Sequence, residues 1–567
     1  MTGYDLLCRT LETLGIDRVF GLPGSQNVPF FEALRRSNVR VVVPAHELGA
    51  AFMAIGASRA SGKVSALTTI PGPGFTYAIT GLAEARLDSV PLLHIVQRPA
   101  TEPGNRFQLQ TLDQAAIAGP VVKQVLRIDG PSEVATVIAK AHELALRGEP
   151  GPVLVEVDSL TLSAEVTGPS LGVPSQSQAL PECSAQELSS VLGLVAGSHR
   201  PMLLVGQGGN AAAADVQLLA ERLSCPVLTS TSGRGIMAED HPLVIPSDLC
   251  DVRDVNALVA ESDLVLALGI KFSHNGARGF RLRIPPARLV HVDAALEVLG
   301  VNYPANLAIH SDVSPFVSTL LKGLSPEGSC GSTWSHEEVA AWRRRVRSNA
   351  PHRAEPEMAG VDPPTPAKFF ELIREVLPRD ACLVTDSGWH QMLARRHYPV
   401  LAPGGLMVPT NLQSMGFGLP AAIGAKLATP DRSVAVVTGD GGVLMSGMDL
   451  VTAVRERISL PVLVLNDGQY GLIRIQQLRD FGRPHGVDCS GLDFQAFAAA
   501  SGARYVSAGE DIRAALRTAL NADGPTLIEV AVGDSQAIRR ARVEGLVRST
   551  GRRLGGGRLR NWLRGTR

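Results

Sequence analysis

Short runs of valine, leucine and alanine recur along this chain, separated by longer stretches in which apolar residues return every three or four positions. The short continuous runs read as strands buried on both faces, and the periodic stretches as amphipathic helices. Their alternation predicts parallel α/β sheets. The opening MTGYDLLCRTLETLG already has the helical period, with Leu6, Leu7, Leu11 and Leu14 on one face. One phrase then appears three times: a helix, a turn ending in proline, and a buried strand. It reads LAEARLDSVPLLHIV at 82–96, LLAERLSCPVLTS at 218–230 and LVTAVRERISLPVLVLN at 450–466. Proline stops the helix and fixes the backbone that enters the strand. Three separated copies predict an α/β fold of three similarly built domains, each a parallel sheet flanked by helices.

Changes of composition mark the boundaries. VTGPSLGVPSQSQALP (166–181) is rich in Gly, Pro and Ser, and 325–366 carries SPEGSCGS and PPTP around a charged helix, AAWRRRVRSN. The expected domains are 1–165, 186–322 and 362–533, with linkers at 166–185 and 323–361 and a basic tail at 534–567. Residues 536–567 hold ten Arg and one Glu, a composition that more often marks a solvated extension than a binding arm. A chain of 567 residues is too long for one core. Lys+Arg and Asp+Glu balance at 54 each, which gives no sign of a nucleic-acid partner. Seven scattered cysteines without a C-x-x-C pair point to reduced thiols. With no secretory signal pattern and no apolar run long enough for a bilayer, the expected location is the cytoplasm.

The chemistry concentrates in VVTGDGGVLMSG and VLVLNDGQYG, where two valine-rich runs end in Gly439-Asp440-Gly441-Gly442 and Asn466-Asp467-Gly468. No Lys-Ser or Lys-Thr follows the glycines, so this is no nucleoside triphosphate loop. A strand ending in glycines before a helix still directs backbone N–H groups toward an anion. In open α/β sheets ligands lie beyond the carboxyl ends of strands, where both acids fall. Two carboxylates would repel a diphosphate unless a hard cation sat between them, and Mg²⁺ completes its octahedron with phosphate oxygens and water. Either turn alone could be an ordinary Asp-Gly turn; two together at strand ends favour a metal–diphosphate site.

GDG, then 24 residues (442–465), then Asn466 resembles the cofactor motif of the thiamine diphosphate enzymes. The resemblance implies Mg²⁺ ligation by Asp440, Asp467 and the backbone carbonyl of Gln469, with Asp467 standing where the family usually has Asn. TNLQSMGFGLPAAIGAKLA (410–428) is similar to the segment that supports the bent cofactor in acetolactate synthases, with Met415 at the apolar wedge position. TDSGWHQML (385–393) looks like the diphosphate-facing loop, implying cofactor contacts at Gly388 and His390, with Gln391 retained and Trp389 a departure from Gln.

In the amino-terminal domain, Glu47 in VVVPAHELGAAFMAIGASRA lines up with the catalytic acid of these enzymes. That acid hydrogen-bonds the cofactor's pyrimidine and promotes the ylid. FGLPGS (20–25) resembles the turn facing the reacting carbon and implies roles for Gly24 and Ser25. TIPGPGFTYAITG follows the family's GPGxTN segment, with Tyr77 in place of Asn. LQTLDQ places Gln110 at a position that commonly reaches substrate, flanked by altered residues Leu109 and Thr111. The adjoining His pair of simple pyruvate decarboxylases is missing, which leans toward carboligation. The resemblance implies a pyrimidine-binding, a central and a diphosphate-binding domain, a small 2-oxo acid substrate, and a homodimer or homotetramer with sites between subunits. The alternatives are a non-ligating 2-oxo acid decarboxylase, a 2-hydroxyacyl thioester lyase, and a cofactor-binding regulatory relative. FAD is a minor expectation: GQGG (206–209) is a weak nucleotide signal, and the flavin-associated stretch is altered to GIKFSHNGARG.

Overall fold

The structure is a computed structural model that describes residues 1–99, 105–166, 180–324, 331–348, 355–509, 511–536, 538–540 and 542–544. Most of the Gly/Pro/Ser-rich linker and the arginine tail beyond 544 lie outside the described residues. Three sheets follow one another along the chain. The first contains β1 (Arg18–Gly21), β2 (Arg40–Val42), β3 (Ser65–Thr69), β4 (Leu92–Gln97), β5 (Gln124–Ile128) and β6 (Pro152–Val157), all parallel, in the order β2-β1-β3-β4-β6-β5. The second is also parallel: β7 (Pro201–Val205), β8 (Val227–Thr229), β9 (Leu264–Leu268), β10 (Leu289–Asp293) and β11 (Leu307–His310), ordered β11-β10-β9-β7-β8.

The third sheet holds β12 (Glu357–Met358), β13 (Cys382–Thr385), β14 (Leu406–Met407), β15 (Val434–Gly439), β16 (Leu460–Asn466), β17 (Arg504–Ser507) and β18 (Pro525–Gly533). Its order is β12-β18-β16-β15-β13-β14, with β17 also beside β18, and only β12 runs antiparallel. Strands β4, β9 and β15 are buried along almost their whole length, as parallel strands covered on both faces are. In the proline-ended phrases, Pro91 and Pro226 precede β4 and β8, whereas Pro461 is the second residue of β16.

The opening helix, Gly3–Thr13, buries Leu6, Leu7 and Leu11, and the Thr2 hydroxyl and Asp5 carboxylate close its capping box. The charged stretch AAWRRRVRSN, read in the sequence as a helix within a linker, falls in a helix from His336 to Ser348. Val339, Trp342 and Val346 lie on its buried face and join the core of the central domain.

The amino- and carboxy-terminal domains share one continuous core. Its centre is the crossing of the Glu47–Ser61 helix over the Gly418–Ala428 helix, where Phe52 and Phe417 meet edge to face at 5.4 Å. Small residues allow the helices to touch through their backbones. A Cβ on Gly56 would lie 1.9 Å from the Ala421 carbonyl oxygen, and one on Gly424 would lie 1.9 Å from that of Met53.

Candidate active site

Two groups of polar residues lie at the carboxyl ends of the first and third sheets. On the third, β15 runs straight into Asp440, the first residue of a short helix, while β16 ends at Asn466 and turns through Asp467 and Gly468. Asp440 is buried; its Oδ1 accepts the Gly441 N–H at 2.8 Å, and its Oδ2 has no partner among the described residues. Burial raises its pKa above the ordinary carboxylate range. Burial also raises Asp467 to about 6, with the negative charge of Asp440 as the next cause. Neither acid forms an ion pair among the described residues. A buried and a half-buried carboxylate side by side, with an oxygen left unpaired, have the donor chemistry of a hard-cation site.

The surrounding glycines are packed too closely for any side chain. A Cβ at Gly441 would fall 2.7 Å from the Tyr470 ring and 3.5 Å from the Met415 methyl, and one at Gly442 would fall 2.8 Å from Asp386. His390 is buried against Gly388 and Gly439, its Nε2 unpartnered, and burial lowers its pKa to about 4, so the imidazole is neutral near pH 7. The Gln469 carbonyl accepts the Gly471 N–H at 2.8 Å, which leaves one lone pair for a cation.

Two sequence-selected side chains face elsewhere. Asn466 donates to Glu529 and accepts from the Gly468 N–H, so it shapes the turn. Gln391 donates to the Pro409 carbonyl at 2.7 Å.

Asp386 was missed in the sequence. It is buried at the end of β13 and accepts the N–H groups of Ser387, Gly416 and Gly418, thereby holding the turn just after Met415. The available signal was the TDSG motif, where an acid at a strand end reads as a turn former.

The second group belongs to the first sheet. Glu47 is half-buried at the start of its helix, and its Oε1 lies 3.1 Å from where a Gly74 Cβ would stand, at the amino end of the Pro73–Leu87 helix. Nearby, the Gln26 amide donates to the Gln110 side-chain oxygen at 2.5 Å, with Gln110 against Gly72 and in the left-handed region at φ 57°. Gly24 packs on Ile70, and Ser25 is exposed.

One chain does not bring the two groups together. Contacts between Gly56 and Ala421 and between Met53 and Gly424 make the two crossing helices antiparallel. Glu47 lies six residues before Met53, and Gly418 six residues before Gly424, in opposite directions. At 1.5 Å per residue, Glu47 and the start of the Gly418–Ala428 helix are separated by roughly 18 Å along the helix axes.

At the carboxyl edge of the central sheet, the turns after β7 and β9 press on one another: a Gly206 Cβ would lie 2.1 Å from the Gly269 carbonyl oxygen. Gln207 and Lys271 reach across to the carbonyls of Asp88 and Leu87. These contacts tie the central domain to the amino-terminal one at that edge.

Comparison with known proteins identifies all three domains. Three family profiles match in order: the N-terminal TPP binding domain of thiamine pyrophosphate enzymes at residues 1–117, the central domain at 188–320, and the C-terminal TPP binding domain at 386–530. The chain is 30% identical over 549 residues to the acetolactate synthase isozyme 1 large subunit of Escherichia coli, covering 95% of each chain. It is 32% identical over 547 residues to a probable 2-ketoarginine decarboxylase of Pseudomonas aeruginosa, covering 94% of each. An acetolactate synthase large subunit of Lactococcus lactis is 29% identical over 555 residues, covering 95% of this chain and 93% of that one. With all three profiles matched in order and a relative 30% identical over 95% of each chain, this chain belongs to the thiamine pyrophosphate enzyme family.

Proposed function

We propose that two copies of this chain bind thiamine diphosphate and Mg²⁺ at two shared sites, decarboxylate a 2-oxo acid, and pass the acyl fragment to a second carbonyl compound. The observation that carries this reading is the Asp440–Asp467 pair, one buried and one half-buried, which forms no ion pair among the described residues and whose pKa values burial raises. Asp440, Asp467 and the Gln469 carbonyl would hold Mg²⁺ against the diphosphate. The bound cofactor supplies a carbon nucleophile and an electron sink for the loss of carbon dioxide.

The protein groups orient and exclude water. Glu47 holds a proton at a pyrimidine ring nitrogen, and Met415 supports the cofactor's bend. His390 stays neutral beside the phosphates, and the Gln26–Gln110 pair faces the substrate. The roughly 18 Å between half-sites within one chain supports completion by a second copy. So does the apolar surface of Leu444, Met445 and Met448, which are 49%, 52% and 60% exposed on the segment after Asp440. A dimer is the smallest such assembly, and a tetramer would repeat it. No helix among the described residues is long and apolar enough to cross a membrane, and a cytoplasmic location belongs to this reading.

The relative from Pseudomonas favours a second reading, decarboxylation without ligation. A screen of 2-oxo acids with Mg²⁺ and thiamine diphosphate, following carbon dioxide and carbon–carbon products together, separates the two. Carbon dioxide with free aldehyde selects simple decarboxylation; no carbon dioxide from any 2-oxo acid rejects both.

A further inference from the structure

The Pro73–Leu87 helix connects one half-site to the other. At its amino end Gly74 lies against Glu47. At its far end two carboxylates leave the amino-terminal domain and bind the loop that precedes Met415. Glu84, fully buried, accepts the Ser414 N–H at 3.0 Å. Asp88 accepts the N–H of Thr410 at 2.8 Å and of Asn411 at 3.0 Å, and the Asn411 side-chain amide at 3.0 Å. That amide also reaches the Leu87 carbonyl at 3.0 Å. Arg59 lies 3.6 Å from Asp88 and donates to the Val408 carbonyl at 2.7 Å. The central domain braces the same corner through Gln207 and Lys271. On the other side of Met415, Asp386 holds Gly416 and Gly418.

Backbone N–H groups bound to carboxylates make strong, directional bonds, and buried ones hold a loop in one conformation. We propose that Glu84 and Asp88 are positioning residues that set the Met415 loop for the cofactor. The amino-terminal domain of one copy thereby shapes the pyrimidine half of one shared site and the diphosphate half of the other. This inference rests on the thiamine diphosphate reading above. Burial, and then the charge of Asp88, raises the Glu84 pKa to about 7, so glutamine is a close stand-in for its protonated form.

The test is calorimetric titration of thiamine diphosphate, with Mg²⁺ present, into full-length apoprotein, alongside thermal melts. Glu84→Ala should raise the cofactor Kd about tenfold, because the binding-competent loop is less populated. Glu84→Gln, which keeps an acceptor for Ser414, should restore the affinity and the wild-type apoprotein melting point even where Glu84→Ala melts lower. Asn411→Ala, at a half-buried loop residue, should weaken binding in the same direction and serves if Glu84→Ala is not recovered folded. Wild-type affinity in both variants overturns the inference, as does weakening that follows a lower melting point and is not rescued by glutamine. A wild-type protein that fails to bind thiamine diphosphate overturns the proposed function itself.

Discussion

The helix crossing that joins the two outer domains gives a sharp quantitative expectation for Gly424→Ala. The added methyl would sit 1.9 Å from the Met53 carbonyl oxygen, in a backbone that cannot rotate away like a side chain. An ordinary carbon–oxygen contact is about 3.2 Å, so the helices must separate by roughly 1.3 Å, and overpacking of this kind costs about 3 kcal/mol or more. Gly193→Ala is the control. Gly193 lies exposed in the Ala185–Ala196 helix with no atom within 4 Å of its added methyl, so helix propensity should stabilise that variant by about 1 kcal/mol. Urea unfolding followed by tryptophan fluorescence and far-ultraviolet circular dichroism should show Gly424→Ala losing its first transition at lower denaturant and Gly193→Ala unchanged or improved. A Gly424→Ala protein as resistant as wild type would refute the backbone contact, and with it the antiparallel register that separates the half-sites.

Two further expectations concern charge. Asp449 accepts the Ala45 N–H at 2.8 Å across the same domain boundary, and burial raises its pKa from 3.8 to about 6. The folded state holds that proton more tightly than the unfolded chain, so this group's contribution is full below about pH 4 and is lost as pH rises through 6. The difference converts to at most about 3 kcal/mol. Asp449→Asn keeps the acceptor oxygen and should stabilise the protein at pH 7 but not at pH 4; equal effects at both pH values in chemical denaturation would reject the assignment. At the metal clamp, Asp467→Asn should retain Mg²⁺-dependent cofactor binding and Asp467→Ala should weaken it about tenfold or more, measured by calorimetry. An alanine variant that binds normally would place the cation elsewhere.

The legible parts of the site were those built from consecutive residues. Asp440 and Asp467 end strands with strong apolar patterns, and their glycine neighbours are visible as words in the chain. The resemblance of whole segments also pointed to Met415, His390 and Glu47. Residues whose role is to hold a distant backbone were not legible. Asp386 and Asp88 look like turn formers in sequence, yet each carboxylate is spent on N–H groups of the 410–418 segment. Gln391 sits inside a matching motif but turns to the Pro409 carbonyl, because a helix allows each residue only one direction. The helix around AAWRRRVRSN was legible, but its arginines hid the buried face of Val339, Trp342 and Val346 that joins it to the central domain. The backbone contact at Gly56 and Gly424 joins two segments distant in the chain, and no local pattern encodes that approach.

The central claim is that Glu47 of one copy and Asp440 of another act on one cofactor. Glu47→Gln should bind Mg²⁺ and cofactor without releasing carbon dioxide, and Asp440→Ala should fail to hold the cofactor. Co-expressed in one cell, the two inactive chains would form mixed dimers in which one of the two sites has both wild-type residues. Carbon dioxide release from an accepted 2-oxo acid should then return to about a quarter of the wild-type level, half of the dimers being mixed and one site in each intact. No release from the mixture, with the wild-type protein active under the same conditions, would contradict a site shared between copies.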